Sequence, residues 1–251
     1  MIHWPAEFLD GLAARGFQAA CLDNWDTGRS THCDDGRRYT LRDMADDAVA
    51  VLDDLGWPSV HVLGVSLGGM IGQVMAVHHP GRVRSLTSIS SAPGWGLRIS
   101  RPRLRATLKI LSVALRRGGG KEGAVERAVQ VLRQLTTPEY PVDEQWVRDF
   151  TARAIDIADD SAGGMRQHAA AKASGDRRGE LARVGTPTLV VHGDRDPAQS
   201  LHAGRETARA IPGARLMVLP NVGHYLPPQL FPVILDELVD MLDHTFDTMA
   251  E

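Results

Sequence analysis

The sequence predicts an α/β fold: a mostly parallel sheet with helices on both faces and an all-helical stretch inserted partway along it. Three observations lead there. Short apolar, β-branched runs alternate with amphipathic helical stretches, as in sheets covered by helices. The alternation breaks between about Pro93 and Arg183, where only helical segments occur, and it resumes at Thr188. A length of 251 residues suits one such domain with an insertion better than two independent domains. The expected division is a first core part (1–92), a helical cap (93–183) and a second core part (184–251).

In chain order, Glu7 to Ala14 reads as a helix, Phe17 to Leu22 as a strand and Asn24 to Ser30 as a turn-rich loop. Thr40-Leu41-Arg42-Asp43 has the form of a capping box, whose two side chains satisfy orphan N–H groups of the first turn. Behind it Leu41, Met44, Ala45, Ala48, Val49, Leu52 and Leu55 recur at helical period, so one face points to the core. Gly56 and Pro58 stop that helix. A strand (Ser59 to Leu63), a helix (Gly68 to His78, ended by Pro80) and a strand (Val83 to Ile89) follow. The insertion carries helical patterns near 103–117, 122–135, 144–157 and 162–173. The core then continues with a strand at Thr188 to Val191, a helix near 200–211, a strand at Arg215 to Leu219 and a helix from about Leu230 to Phe246.

Composition narrows the function. Hydrophobic residues at 43% and charged residues at 24% are ordinary for a soluble protein with a sizeable core. A net charge of −3, with no basic stripe carrying aromatics, argues against a nucleic-acid partner. No apolar run approaches the ~18 residues of a membrane span, so stable membrane insertion is not expected. The first ten residues lack the apolar core of a signal peptide. Cys21 and Cys33 are too few for a disulfide framework, and cytoplasmic residence with free thiols is the default.

The chemistry concentrates at Gly64-Val65-Ser66-Leu67-Gly68, a G-x-S-x-G pattern set between a predicted strand and a predicted helix. That context is what a nucleophile elbow requires. The glycines are expected to relieve collisions in a sharp turn whose Ser66 backbone is strained. A serine hydroxyl needs a base to take its proton and a carboxylate to orient that base. On a sheet of this kind the order is serine, acid, histidine, each at a C-terminal strand end. The loop after Thr188 to Val191 offers Asp194 and Asp196; the residue before Pro197 is held extended, which favours Asp196 and leaves Asp194 as a turn former. The loop after Arg215 to Leu219 offers His224. Of the ten histidines, His78 and His79 read as a helix end, and His61 and His192 as core-packed strand residues.

With these residues placed, the chain resembles the α/β-hydrolase superfamily over nearly its whole length, most of all the branch of aclacinomycin methylesterase and the lipase/esterase G proteins. The resemblance is carried by Trp4-Pro5 with Glu7-Phe8, by Leu22 to Ser30, by Gly64 to Ile71, by Arg166-Gln167 to Ala173-Ser174, and by Pro187 to Pro197 and Pro212 to His224. Residues 97–145 match poorly. It implies Asp196 as the acid and the backbone N–H of Leu67 as one oxyanion-hole donor. Trp25 stands where these relatives carry arginine, which is expected to be a packing adjustment. Family members also carry strands before Trp4, the third of which lies between the strands at Phe17 and Val60 and supplies the second oxyanion donor. That portion is expected to be absent here, through a start at an internal methionine, a contracted sheet or degeneration, with feeble activity as the consequence. Unpaired buried backbone groups cost about 1–3 kcal/mol each, so an open slot between those two strands is not expected.

The expected function is hydrolysis of a small-molecule carboxylic ester through an acyl-enzyme, with Ser66 as nucleophile, His224 as base and Asp196 as its orienter; no cofactor or metal is needed. Perhydrolase and C–C hydrolase chemistry share the same residues, and a non-catalytic binding protein is the alternative. In the insertion, Arg98, Arg101, Arg103, Arg105, Lys109, Arg116, Arg117 and Lys121 occur in a stretch with no acid. The simplest expectation is a cap helix with Leu104, Leu108, Leu111 and Leu115 on the pocket and its basic side in water; the other is an anionic lipid surface.

Overall fold

The computed structural model describes residues 4–96, 99–100, 104–114, 116, 118–158 and 162–249, with backbone alone at 104–106, 114 and 244–249. Its frame is a four-stranded parallel sheet of β1 (Val60–Val65), β2 (Val83–Ile89), β3 (Thr188–Gly193) and β4 (Arg215–Leu219), ordered β1-β2-β3-β4. Parallel neighbours need crossovers long enough to carry helices, and helices occupy both faces. On one face α2 (Leu41–Asp54), α3 (Leu67–His78) and α9 (Leu201–Ala210) bury Met44, Ile71, Val74, Leu86 and Ala203. On the other, α10 (Phe231–Met249) sets Ile234, Leu238 and Met241 against Leu189 and Val191 of β3. The alternation of β3 is thus readable: Leu189 and Val191 face α10, and His192 faces α9. Helix α1 (Ala6–Ala14) packs Phe8 edge-on against Phe231, with ring centroids 5.1 Å apart.

Helix α2 begins at the anticipated capping box: the Thr40 hydroxyl accepts from the N–H of Asp43, and the Asp43 carboxylate accepts from the N–H of Thr40 at 2.7 Å. Leu41, Met44, Ala45, Ala48 and Leu52 are buried, whereas Leu55, past the last turn, is exposed. Between β2 and β3 lie α4 (Leu104–Ala114), α5 (Gly120–Leu135), α6 (Glu144–Ile157), α7 (Gly163–Ala173) and α8 (Arg178–Leu181). Among the described residues the only strand-like pairing there is one antiparallel bridge, Gly94 with Asp176.

The strand expected at Phe17 to Leu22 does not form. Residues 18–23 are exposed, and a strand needs a neighbour for its ladder. Among the described residues β1 is bonded only to β2. Between its other edge and residues Ala20 to Asn24 lies a cavity of about 570 Å³, also lined by Gly68, Ile71 and Met75 of α3. The slot excluded on energetic grounds is therefore open. Its outer wall is exposed at residues 18–23, so that side of the slot does not carry the penalty of unpaired burial.

The leucine face of α4 also departs from expectation. Leu108 and Leu111 are exposed, at 58% and 45%, and neither lines a cavity beside Ser66. Arg98, Arg101, Arg103, Leu115 and Arg117 lie outside the described residues, as do the side chains of Leu104 and Arg105. Lys121 is paired with Asp156 at 2.6 Å. No helix among the described residues is long and apolar enough to cross a membrane.

Candidate active site

Ser66 sits between the end of β1 and the start of α3 with φ +53° and ψ −112°, a conformation costly for any residue but glycine. Three contacts hold it there. Its N–H donates to the Ile89 carbonyl at 2.8 Å, its carbonyl accepts from Ser91 Oγ at 2.9 Å, and the Met70 N–H returns to that carbonyl at 3.2 Å. Of the two motif glycines only the first is sterically demanded. A Cβ on Gly64 would lie 2.3 Å from the Gly68 backbone, whereas one on Gly68 would meet nothing within 4 Å, because Gly68 borders the open slot. Leu67 is the first residue of α3, so its N–H belongs to the turn left without intrahelical partners, at the positive end of the helix dipole.

The acid and the histidine come together at the far side of the sheet. His224 Nδ1 donates to Asp196 Oδ2 at 2.7 Å. Asp196 Oδ1 accepts from the N–H groups of Ala198 and Gln199 at 2.8 and 2.9 Å, so the carboxylate is held from both oxygens. Asp194 points elsewhere and accepts from the Asn221 N–H at 2.8 Å, tying the acid loop to the histidine loop. Burial disfavours a charged His224, yet the Asp196 charge and hydrogen bond outweigh it and hold the ring above the ordinary histidine value.

Ser66 and His224 line one cavity of about 440 Å³, with no hydrogen bond between them. The walls are apolar and aromatic, with Trp4, Leu132, Trp146, Phe150, Tyr225 and Phe231 among them. Trp146 and Phe150 of α6 stack at 5.4 Å and 9°. Trp4, Val65 and Ser66 border this cavity and the slot alike, so the serine stands where the two meet.

Several supports were given no role by the sequence. The Leu135 carbonyl at the end of α5 accepts from the N–H groups of His224 and Tyr225 at 2.8 and 3.1 Å, so the insertion helps to set the histidine loop. Buried Asp26 accepts both Arg166 nitrogens (2.9 and 2.8 Å), the Tyr39 hydroxyl (2.6 Å) and the Cys33 N–H (2.6 Å), locking α7 to the loop after residue 23. Burial opposes that charge, but these partners bring its pKa down to about 2. Beside it Trp25 packs on Tyr39 and donates its indole N–H to Asp47.

The sequence matches the family described as alpha/beta hydrolase fold over residues 2–228. The chain belongs to the α/β-hydrolase fold family. It is closely related to the methylesterase branch: rhodomycin D methylesterase DauP of Streptomyces sp. (strain C5) is 32% identical over 243 residues, 89% of this chain and 80% of that protein. The 3-oxoadipate enol-lactonase 2 of Acinetobacter baylyi is 26% identical over 201 residues, 77% of this chain and 68% of the relative. Among solved structures, a hydrolase from Pseudomonas aeruginosa superposes with a TM-score of 0.67 at 25% identity, covering 88% of this chain and 77% of its own.

Proposed function

We propose that this α/β hydrolase cleaves a small carboxylic ester through an acyl-enzyme, with Ser66 as nucleophile, His224 as general base and Asp196 as its orienter. The observation that carries the reading is the 2.7 Å bond from His224 to a carboxylate already fixed by two N–H donors, with Ser66 on the same cavity wall. His224 takes the Ser66 proton as Oγ attacks the ester carbonyl, then returns it to the departing alkoxide; water repeats the cycle to free the acid. Asp196 stabilises the imidazolium and fixes the tautomer whose Nε2 accepts. The oxyanion is met by the Leu67 N–H and the α3 dipole.

Leu132, Trp146 and Phe150 of the helical insertion wall the cavity, and none of its lining among the described residues is an acid, lysine or arginine, which suits an uncharged, apolar ester. The relatives' methylesterase and lactonase names agree with ester chemistry in general. Hydrolysis of a short p-nitrophenyl ester tests the proposal: release that vanishes in Ser66→Ala supports it, and release unchanged by that substitution refutes it. The missing Ser66–His224 hydrogen bond favours one rival, a binding protein using the same cavity. Failure of a fluorophosphonate probe to label Ser66 would favour that rival.

A further inference from the structure

We infer that His192 is a positioning residue for the Asp196–His224 pair, and that Gly204 exists in α9 to make room for it. This rests on the esterase reading above but concerns a residue outside the three it uses. His192 sits at the end of β3 with no exposed surface. Its Nε2–H donates to the Gln199 carbonyl at 2.8 Å and stands 3.6 Å from Asp196 Oδ2, the oxygen that receives His224. Its Nδ1 has no partner. That arrangement fixes one tautomer: the proton is on Nε2, where two oxygens face it, and Nδ1 carries a bare lone pair.

The consequence follows from where the Gln199 carbonyl is. Residues 196–199 form the short turn in which the Ala198 and Gln199 N–H groups grip Asp196 Oδ1. His192 grips the same turn from the opposite side, through the carbonyl of Gln199. The turn is thereby clamped between a strand-borne ring and its own carboxylate, which leaves Oδ2 aimed at His224. An apolar side chain of similar size would fill the space but leave the Gln199 carbonyl buried without a donor. The turn would then rotate to find one, and Asp196 with it.

Gly204 is the independent sign that the ring position matters. A glycine inside a helix costs conformational entropy and is normally avoided there. A Cβ on Gly204 would lie 2.7 Å from His192 Nδ1, 2.8 Å from Cγ and 2.9 Å from Cβ, so no other residue fits while the ring stays where it is. Charging the ring would add a proton on Nδ1 with nothing to receive it, and burial accordingly pushes this histidine below its ordinary value despite the nearby Asp196.

Three variants test the clamp: His192→Leu removes the donor, His192→Gln keeps an N–H near the Nε2 position, and Gly204→Ala displaces the ring. Each is first checked for folding by circular dichroism. In His192→Leu, kcat on a short p-nitrophenyl ester should fall roughly 10- to 100-fold with KM unchanged, as for a misplaced catalytic group. The acid limb of its pH profile should move to lower pH, because His224 is less well paired. His192→Gln should recover most of the rate, and Gly204→Ala should shift rate and limb in the same direction by less. The Nδ1 proton resonance of His224 reads the same geometry without turnover. It should be held in wild type and His192→Gln and displaced in His192→Leu. A folded His192→Leu with wild-type kcat, pH midpoint and resonance overturns the inference. If His192→Leu does not fold, the same three readouts unchanged in Gly204→Ala overturn it. Wild-type protein inert to esters and to a fluorophosphonate would instead sink the esterase reading, and the resonance would still decide this one.

Discussion

The two strands that carry the site, β1 and β3, are built to different standards. At the β3–β4 end every residue of β3 is buried and the strand is paired on both edges. The two loops beyond it are cross-tied, Arg195 N–H to the Val222 carbonyl at 3.0 Å and Asp194 N–H to the Leu219 carbonyl at 3.1 Å, and the second is held to the end of α5 by His224 N–H to the Leu135 carbonyl at 2.8 Å. At the β1 end the strand is only partly buried along Val60 to Leu63, and one edge faces a slot of about 570 Å³ whose outer wall is exposed. The Asp196–His224 pair is thus fixed from several elements, while Ser66, the proposed nucleophile, is held by Ile89 and Ser91 and by the Met70 N–H of α3.

That contrast can be broken at either end. The largest effect belongs to Ser66→Ala, which should cut kcat on a p-nitrophenyl ester by about 10⁶, close to background, with melting temperature nearly unchanged. Asp196→Asn should cost about 10⁴ in kcat by disturbing the tautomer. It should also lower the pH midpoint of the activity rise. In wild type that rise tracks His224 losing its proton, so its midpoint should lie above the ordinary histidine value of 6.5. The stability sign is fixed by the same shift. A raised folded pKa makes the charged His224 a stabiliser below about 6.5, and that contribution is lost as pH climbs through the folded value. Melting curves of wild type and Asp196→Asn should therefore converge as pH rises.

Structural substitutions sharpen the comparison with smaller effects. Arg166→Ala strands the buried Asp26 carboxylate and should cost about 3–5 kcal/mol in denaturant unfolding. The Asp26 lock also has a pH signature: its depressed pKa means stability present above 3.8 and lost as pH falls through about 2. Leu189→Ala, at the rigid end, should cost about 2–5 kcal/mol, whereas Leu22→Ala, 42% exposed at the slot, should stay within about 0.5 kcal/mol. Equal costs at Leu189 and Leu22 would contradict the account of the two ends.

Much of the fold was legible because local rules and tertiary context agreed. The 3.6-residue stripe of α2 and its capping box, and β2 at Val83–Ile89, formed where pattern and punctuation put them. Phe17 to Leu22 shows the limit: strand propensity is a statement about a fitting neighbour, and among the described residues no strand lies beside this segment. The α4 leucines show another, since periodicity defines an apolar face but not what covers it. At the site, the Ser66 strain and the Asp196–His224 bond occupy positions that motif and chain order single out. The Leu135 carbonyl and the His192–Gly204 contact did not announce themselves, because backbone carbonyls carry no residue signature and a helical glycine has many explanations.

The most direct test of the central claim, that the preorganised pair serves Ser66, is fluorophosphonate labelling followed by peptide mapping in wild type and His224→Ala. A single adduct on the peptide bearing Ser66, formed by wild type and lost in His224→Ala, is the predicted result. An adduct elsewhere, or one formed equally fast without the histidine, would contradict it.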